Sequence, residues 1–457
     1  MTPLQTLFCD RILLPEGWAS DVVLEISAEG LISAIATDQS CVAEAIRLSG
    51  PVVPALQNLH SHAFQRAMAG LAERAGSTQD SFWTWRETMY GLVSRMSPDD
   101  VEVVATKLYS ELLKGGYGHV VEFHYFHHAF AEAGRSDGFE MSMRILRAAE
   151  KAGIGLTHLP VFYAHSGFGG SAPTAGQKSF IHSVDGYLAL LERLEPECRI
   201  TGAHLGLAIH SLRAAKPDEM QTILSSEHTS GPIHIHIAEQ EREVEDCIAW
   251  SGRRPVSFLL DEFPVDARWC AIHATHMTPE ETVRLARSGA VAGLCPATEA
   301  NLGDGIFPAT DYVGHAGRYG IGTDSHVATS VAEELRLLEY GQRLRDRRRN
   351  RLVSGPGASA GRTLFEASLS GGAQAAGLAT AGIRVGARAD LVVLDGENPF
   401  IATPKDDQIL DRWIFALGSE VVRDVIVGGQ FVVQQGRHRF EEAIDRDFSR
   451  VLKALAN

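Results

Sequence analysis

Two histidines one residue apart, His60 and His62 in QNLHSHAFQ (57–65), directly follow the apolar run PVVPAL. In a strand, residues i and i+2 share a face, so an H-x-H pair at a strand end aims two imidazoles at one point. Imidazole is a ligand for zinc and for ferrous iron. Two polar loop residues would give the same string, so the metal reading needs further donors elsewhere in the chain. PIHIHIAEQ supplies His234 and His236 on one strand face, with Glu239 three residues on. AIHATH supplies His273 and His276, and YGIGTD ends on Asp324.

His60, His62, His236 and Asp324 together make a mixed nitrogen and oxygen set. Such a set suits one catalytic divalent ion, Zn2+ or Fe2+, with a position left for water. His236 is preferred to His234 because it lies nearer the strand end; His234 reads as a core histidine. Glu239 is the expected proton carrier, since an attacking water needs an acceptor and a leaving nitrogen needs a donor. The competing reading makes it an acid at the start of the helix EQEREVEDCIAW. His273, closer to the strand end than His276, is expected to polarise the reacting centre, and Asp324 to help orient the water.

Chemistry of this kind requires elements that bring distant residues to one rim. Eight apolar runs alternate with helical patterns: VVPALQNL, HVVEFHY, GIGLTHLPVF, HLGLAIHS, PIHIHIAE, WCAIHAT, AVAGLCPA and YGIGTD. Repeated βα units of this sort predict an α/β protein with a (β/α)8 TIM barrel, here over 51–382. In a barrel the active site lies at the C-terminal ends of the strands, and the candidate residues cluster there in the sequence. Residues 1–50 and 383–440 have another texture, short Val/Ile runs split by glycine turns, and predict β-structure. A C-terminal helix is expected over 441–457.

A formal net charge of −15 argues against nucleic acid or an anionic membrane as partner. The basic run RLRDRRRNR (343–351) reads as a solvated helix face or as an anion contact. The six cysteines (Cys9, Cys41, Cys198, Cys247, Cys270, Cys295) are scattered and read as buried thiols. MTPLQTLFCDRILLPEGW lacks a basic start followed by a long apolar core, and no apolar run approaches the ~20 residues of a membrane span. A cytoplasmic protein is expected.

Taken together, NLHSHAFQ, HIHIAEQ, AIHATH, CPATEANLGDG and GIGTDSH resemble the amidohydrolase superfamily, in particular its deaminase and chlorohydrolase-like branch. GIRVGARADLVVLDGENP is similar to the signature of that family's small composite β-sandwich domain, built from N- and C-terminal segments. Two-metal members use a carboxylated lysine; no lysine ends GIGLTHLPVF or HLGLAIHS, which implies a single ion. NLHSHAFQRAMAGLAER, FWTWRETMY, VEFHYFHH and AIHSLRA resemble the formimidoylglutamate deiminase family more closely. That resemblance implies a small dianionic amino-acid substrate held by Gln65, Arg86, Tyr125, His210 and Arg213, hydrolysis of a linear amidine in histidine degradation, and a homodimer. Arginine is well suited to forked carboxylate recognition, which agrees with two arginines for two carboxylates. Arg86 reads equally as a helix-surface ion-pairing residue. A deaminase of aminated rings or guanidines is the alternative enzyme. The loop YAHSGFGGSAPTAGQ (163–177) reads as a lid or as a static glycine-rich loop.

Overall fold

Runs rich in Val, Ile and Leu that are buried on both faces form parallel sheets covered by helices. The computed structural model, which describes residues 5–41, 43–73, 82–131, 134–135, 137–228 and 230–456, has eight such strands. They are β1 (Leu56–Ser61), β2 (Tyr117–His124), β3 (Gly155–Phe162), β4 (Leu207–Ile209), β5 (Ile233–Ile237), β6 (Trp269–His273), β7 (Val291–Leu294) and β8 (Arg318–Ile321). Each is hydrogen-bonded to its sequence neighbour, all in parallel. The chain beyond β8 returns to β1: the Asp324 N–H donates to His60 O at 3.0 Å and the His62 N–H to Asp324 O at 3.2 Å. The ring is thereby closed at the end where the candidate residues lie.

Closure depends on a glycine. A Cβ at Gly322 would lie 2.7 Å from His60 Cβ and 2.8 Å from its backbone nitrogen. Gly322→Ala should therefore push β1 and β8 apart and lower stability by about 1–3 kcal/mol, the usual cost of overpacking. Urea unfolding of the variant against the native chain measures it.

The helices start and stop where local chemistry directs. Pro98–Lys114 begins with a capping box in which Ser97 and Asp100 satisfy each other's backbone amides, and its Val101, Val104, Ala105, Leu108 and Leu112 face the barrel. The far end of the barrel is stopped by the helix Ala360–Ala375: His234 Nε2 donates to Ala375 O at 2.8 Å. His234 is thus a core histidine, as its position on the strand suggested.

The flanking segments form one continuous sheet of nine strands. Gln5–Leu14, Gly17–Ile26 and Ile32–Ala36 come from the N-terminal side; Leu391–Leu394, Val422–Val427 and Gln430–Gln434 come from the C-terminal side. Leu7, Ile12, Leu24, Val52, Leu391 and Ile426 lie in its shared core. Val52–Pro54, read from sequence as the start of the first barrel strand, pairs instead with Leu391–Val393 in this sheet. The chain changes sheets at Ala55, whose N–H donates to Asp390 O. The C-terminal segment also carries the helices Pro399–Ala402 and Gln408–Ala416, which its Val/Ile texture did not suggest, before the final helix Glu441–Ala456.

Five cysteines are buried, but Cys41 is exposed, against expectation; none forms a disulfide. Among the described residues, no helix is long and apolar enough to cross a membrane. The basic run is occupied internally: Arg343 pairs with Glu339, while Arg345 and Arg351 pair with Asp346.

Candidate active site

Five non-glycine residues at the strand ends hold positive φ: Ala238 (49°), His273 (66°), Ala274 (48°), Asp324 (49°) and His326 (62°). Such backbone costs of order 1–3 kcal/mol per residue and persists where surrounding contacts enforce it. Here the turns carry Glu239, His273 and Asp324 off β5, β6 and β8 and over the barrel mouth.

Three imidazoles converge there. His60 Nε2 lies 3.1 Å from His62 Nε2 and 3.0 Å from His236 Nε2. Asp324 Oδ1 is 3.3 Å from His62 Nε2 and 3.7 Å from His60 Nε2. His62 Nδ1 donates to Phe123 O at 2.9 Å, and His236 Nδ1 to His210 O at 3.0 Å. Carbonyls only accept, so both Nδ1 atoms carry the proton and both Nε2 lone pairs point inward. Facing lone pairs repel unless a cation lies between them. Donors about 2.0–2.1 Å from one ion lie about 2.9–3.3 Å apart at ordinary coordination angles, close to these separations. Burial, followed by the neighbouring imidazoles, drives the His60 and His236 pKa values well below the ordinary range, and burial pulls His62 down to about 3. Neutral imidazole is the form that binds metal. The donor set fits a divalent ion.

The opposite side of the cluster is acidic. His273 Nε2 lies 3.7 Å from Asp324 Oδ2 and 3.9 Å from Glu239 Oε1, and its Nδ1 is 3.3 Å from Glu299 Oε1. Burial opposes a charge on His273, but Glu239, Glu299 and Asp324 outweigh it and push the imidazole up to about 10. Burial raises Glu239 to about 7, with Asp324 adding to the rise and His273 opposing it. Glu239 does not cap the following helix. Glu243 takes that place, accepting the N–H groups of Ala238 at 3.0 Å and Glu239 at 3.1 Å. The Glu239 carboxylate is left to face the cavity.

That cavity, about 520 Å³ and open to solvent, is lined by His62, His236, Glu239, His273 and Asp324 and by all five substrate candidates. Gln65 lies on the short 3-10 helix Ala63–Met68; its Nε2 donates to the Tyr125 hydroxyl at 2.7 Å. Its buried Oε1 has no hydrogen-bond partner. The His210 ring packs 4.3 Å from Tyr163 and 5.0 Å from His236. Arg86 sits on the helix Phe82–Val93 with its guanidinium 5.6 Å from the Tyr90 ring. Arg213 follows β4, near enough to Glu239 and Glu243 for its charge to favour their ionised forms. His276 is held elsewhere, donating Nε2–H to Asp304 O at 2.8 Å.

Residues 52–432 match the model of the Amidohydrolase family. The chain belongs to the amidohydrolase family. Residues 5–46 match a second model, "Formimidoylglutamate deiminase HutF, N-terminal domain". The chain is 56% identical to the formimidoylglutamate deiminase of Pseudomonas aeruginosa, over 99% of this chain and 100% of that one. A crystal structure of an amidohydrolase from Brucella melitensis superposes with a TM-score of 0.94 at 48% identity, covering 99% and 100% of the two chains. An adenosine deaminase from Xanthomonas campestris, solved with bound zinc, shares the fold with a TM-score of 0.83 at 21% identity, over 99% and 98%. Amidohydrolases are metal-dependent, in agreement with the converging donors.

Several residues of this amidohydrolase site carried no role in the sequence reading. Tyr90, Tyr163 and Phe180 wall the cavity. Glu122, on the outer face of β2, binds Ser61 Oγ at 2.5 Å and the Ala63 N–H at 2.7 Å, fixing the turn that carries His62. Glu299 touches His273. Its segment, CPATEANLGDG, was visible as a motif, but nothing in the string distinguishes an inward carboxylate from a loop acid. The 163–177 loop is anchored: Gln177 Nε2 donates to the Tyr163 hydroxyl at 2.7 Å, and Phe168 stacks on Trp250 at 5.4 Å.

Proposed function

We propose that the protein hydrolyses N-formimino-L-glutamate to N-formyl-L-glutamate and ammonia, a step of histidine degradation, in the cytoplasm. One juxtaposition carries the assignment. Two guanidiniums, Arg86 and Arg213, share a cavity with the four-donor centre and Glu239. A dianionic substrate with a hydrolysable C=N group matches both ends of that cavity. The 56% identity to a formimidoylglutamate deiminase over nearly the whole chain supports the same substrate, and free cysteines agree with a reducing compartment.

His60, His62, His236 and Asp324 would hold one divalent ion, zinc in the first instance, which would supply Lewis acidity and lower the pKa of water at the site. Glu239 accepts the proton that the attacking water gives up. It then delivers that proton to the terminal formimino nitrogen; the second proton, given up by the hydroxyl as the formyl C=O forms, passes to the same nitrogen, and its C–N bond breaks to release ammonia. His273 and Asp324 orient the water, and His273 stabilises the charge of the tetrahedral intermediate. Gln65 Oε1, buried and without a partner, accepts an N–H of the formimino group; Tyr125 and His210 complete the wall around it. Arg213, whose charge reaches Glu239, meets the α-carboxylate, on the carbon that bears the retained nitrogen. Arg86, on the helix Phe82–Val93, meets the distal carboxylate.

Each arginine contact is a hydrogen bond to a charged group, worth about 1.5–3 kcal/mol or roughly 10–150-fold. Arg86→Met and Arg213→Met should each lower kcat/KM on N-formimino-L-glutamate by at least about tenfold. An analogue lacking the distal carboxylate should be poor for the native enzyme and little worse for Arg86→Met, because the lost contacts are the same one. Native kinetics in both variants, or preference for a nucleobase over formimino-glutamate, would return the protein to an unspecified deaminase.

A further inference from the structure

The short helix Pro296–Leu302, which follows β7, touches both halves of the catalytic centre through adjacent residues. Thr298 Oγ1 donates to Thr323 O at 3.1 Å and accepts the Ser325 N–H at 3.2 Å, so it holds the turn that carries Asp324. The next residue, Glu299, accepts the Cys295 N–H at 2.9 Å and lies 3.3 Å from His273 Nδ1 through the same oxygen. Glu299 is 6% exposed and His273 1%, so water does not substitute for either partner.

We propose that Glu299 is a positioning residue of the deaminase reaction, holding the proton of His273 on Nδ1 and presenting Nε2 to the reacting centre. This rests on the hydrolase reading of the site. A carboxylate accepts only, so Nδ1 is the donor toward it whether the ring is neutral or charged. Nε2 is then the atom that faces Asp324 and Glu239, at 3.7 and 3.9 Å. Without Glu299 the ring loses the partner that fixes its orientation, and Nε2 is no longer held toward the reacting centre. Thr298 and Glu299 being consecutive, the helix also fixes His273 relative to the Asp324 turn. The arrangement matches the way carboxylates orient catalytic and ligating histidines elsewhere, where the outer partner is worth about 10–100-fold.

His273, Cys295 and Glu299 also bring a nitrogen, a sulfur and an oxygen within 4.8 Å of one another, and a second metal ion is the competing occupant. That ion would require Nδ1 without its proton and Cys295 as thiolate. Burial raises the Cys295 thiol well above its ordinary range, which favours the protonated forms and the hydrogen bond.

The test uses the metal-loaded full-length enzyme and Glu299→Gln. Glutamine keeps the shape and, through one amide oxygen, an acceptor for both the Cys295 N–H and His273 Nδ1, but it removes the charge that holds the proton there. Expected are a kcat lower by about 10–100-fold, a KM within about twofold, one metal ion per chain and an unchanged melting temperature. Long-range 1H–15N correlation of histidine-labelled enzyme, with His273 assigned by loss of its signals in His273→Asn, should show a protonated Nδ1 in the native protein. Those signals should shift in Glu299→Gln. A native-like kcat in the glutamine variant, an unprotonated Nδ1 in the native enzyme, or two ions per chain bound through Cys295 overturns the proposal. If formimino-glutamate proves not to be the substrate, the nitrogen spectrum still decides the role of Glu299, so the two failures are distinguishable.

Discussion

Alanine at His60, His62 or His236 should strip the protein of its divalent metal and leave no measurable release of ammonia from N-formimino-L-glutamate. The Nε2 atoms of His62 and His236 lie 3.1 and 3.0 Å from that of His60, and the outer nitrogens of His62 and His236 are fixed by the carbonyls of Phe123 and His210. Loss of one donor leaves three of the four protein ligands, so the effect should exceed the about 10–100-fold that outer-shell changes cost. The fold should survive. The barrel strands are held by their own backbone ladder and by side chains of the main core, which extends far from the centre. Metal analysis after dialysis, steady-state ammonia release and far-ultraviolet circular dichroism measure the three consequences. Full metal content with near-native rates in all three variants would remove the centre from the mechanism.

The sequence made this centre legible because parallel barrel strands are buried on both faces and therefore stand out as apolar runs. Six of the eight runs led into a candidate histidine, tyrosine or acid, and a barrel gathers strand ends at one rim. What the string could not carry was direction. His234 and His236 share a strand face, and only the helix Ala360–Ala375 under one end separates core residue from ligand. Glu239 read as catalyst or cap until the turn at Ala238 appeared, with Glu243 reaching back to take both amides. The apolar run PVVPAL passes without a break from Val52–Pro54 into Leu56–Ser61, yet the two strands belong to different sheets because a single residue, Ala55, turns the chain between them. Glu299 lies on a seven-residue helix, too short for periodicity to reveal which side faces the site. Tyr90, Tyr163 and Phe180 come from three separate segments, and their convergence is a property of tertiary packing alone.

Glu239→Gln should retain metal and fold but lose turnover by about 10²–10⁴-fold, the range of a general acid–base group. Glutamine preserves the side-chain volume, and the Glu239 backbone N–H still has Glu243 to accept it, so the turn after β5 is undisturbed. What disappears is the capacity to take a proton and return it. Burial, reinforced by Asp324, raises the Glu239 carboxyl to about 7, while His273 acts in the other direction. As pH falls through that value the acid form gains, and an acid cannot accept the proton of the attacking water. Native kcat/KM should accordingly decline on the acid side, and a bound cation, by favouring the carboxylate, moves that limb to lower pH still. The glutamine variant has no group to titrate at this position, so its small residual rate should lack the Glu239 contribution to the limb. Ammonia release measured from pH 5 to 9, with metal content checked at each end, separates the roles. A loss below about tenfold, or an acid limb identical in variant and native enzyme, would make Glu239 a structural acid and leave proton transfer to His273 and Asp324.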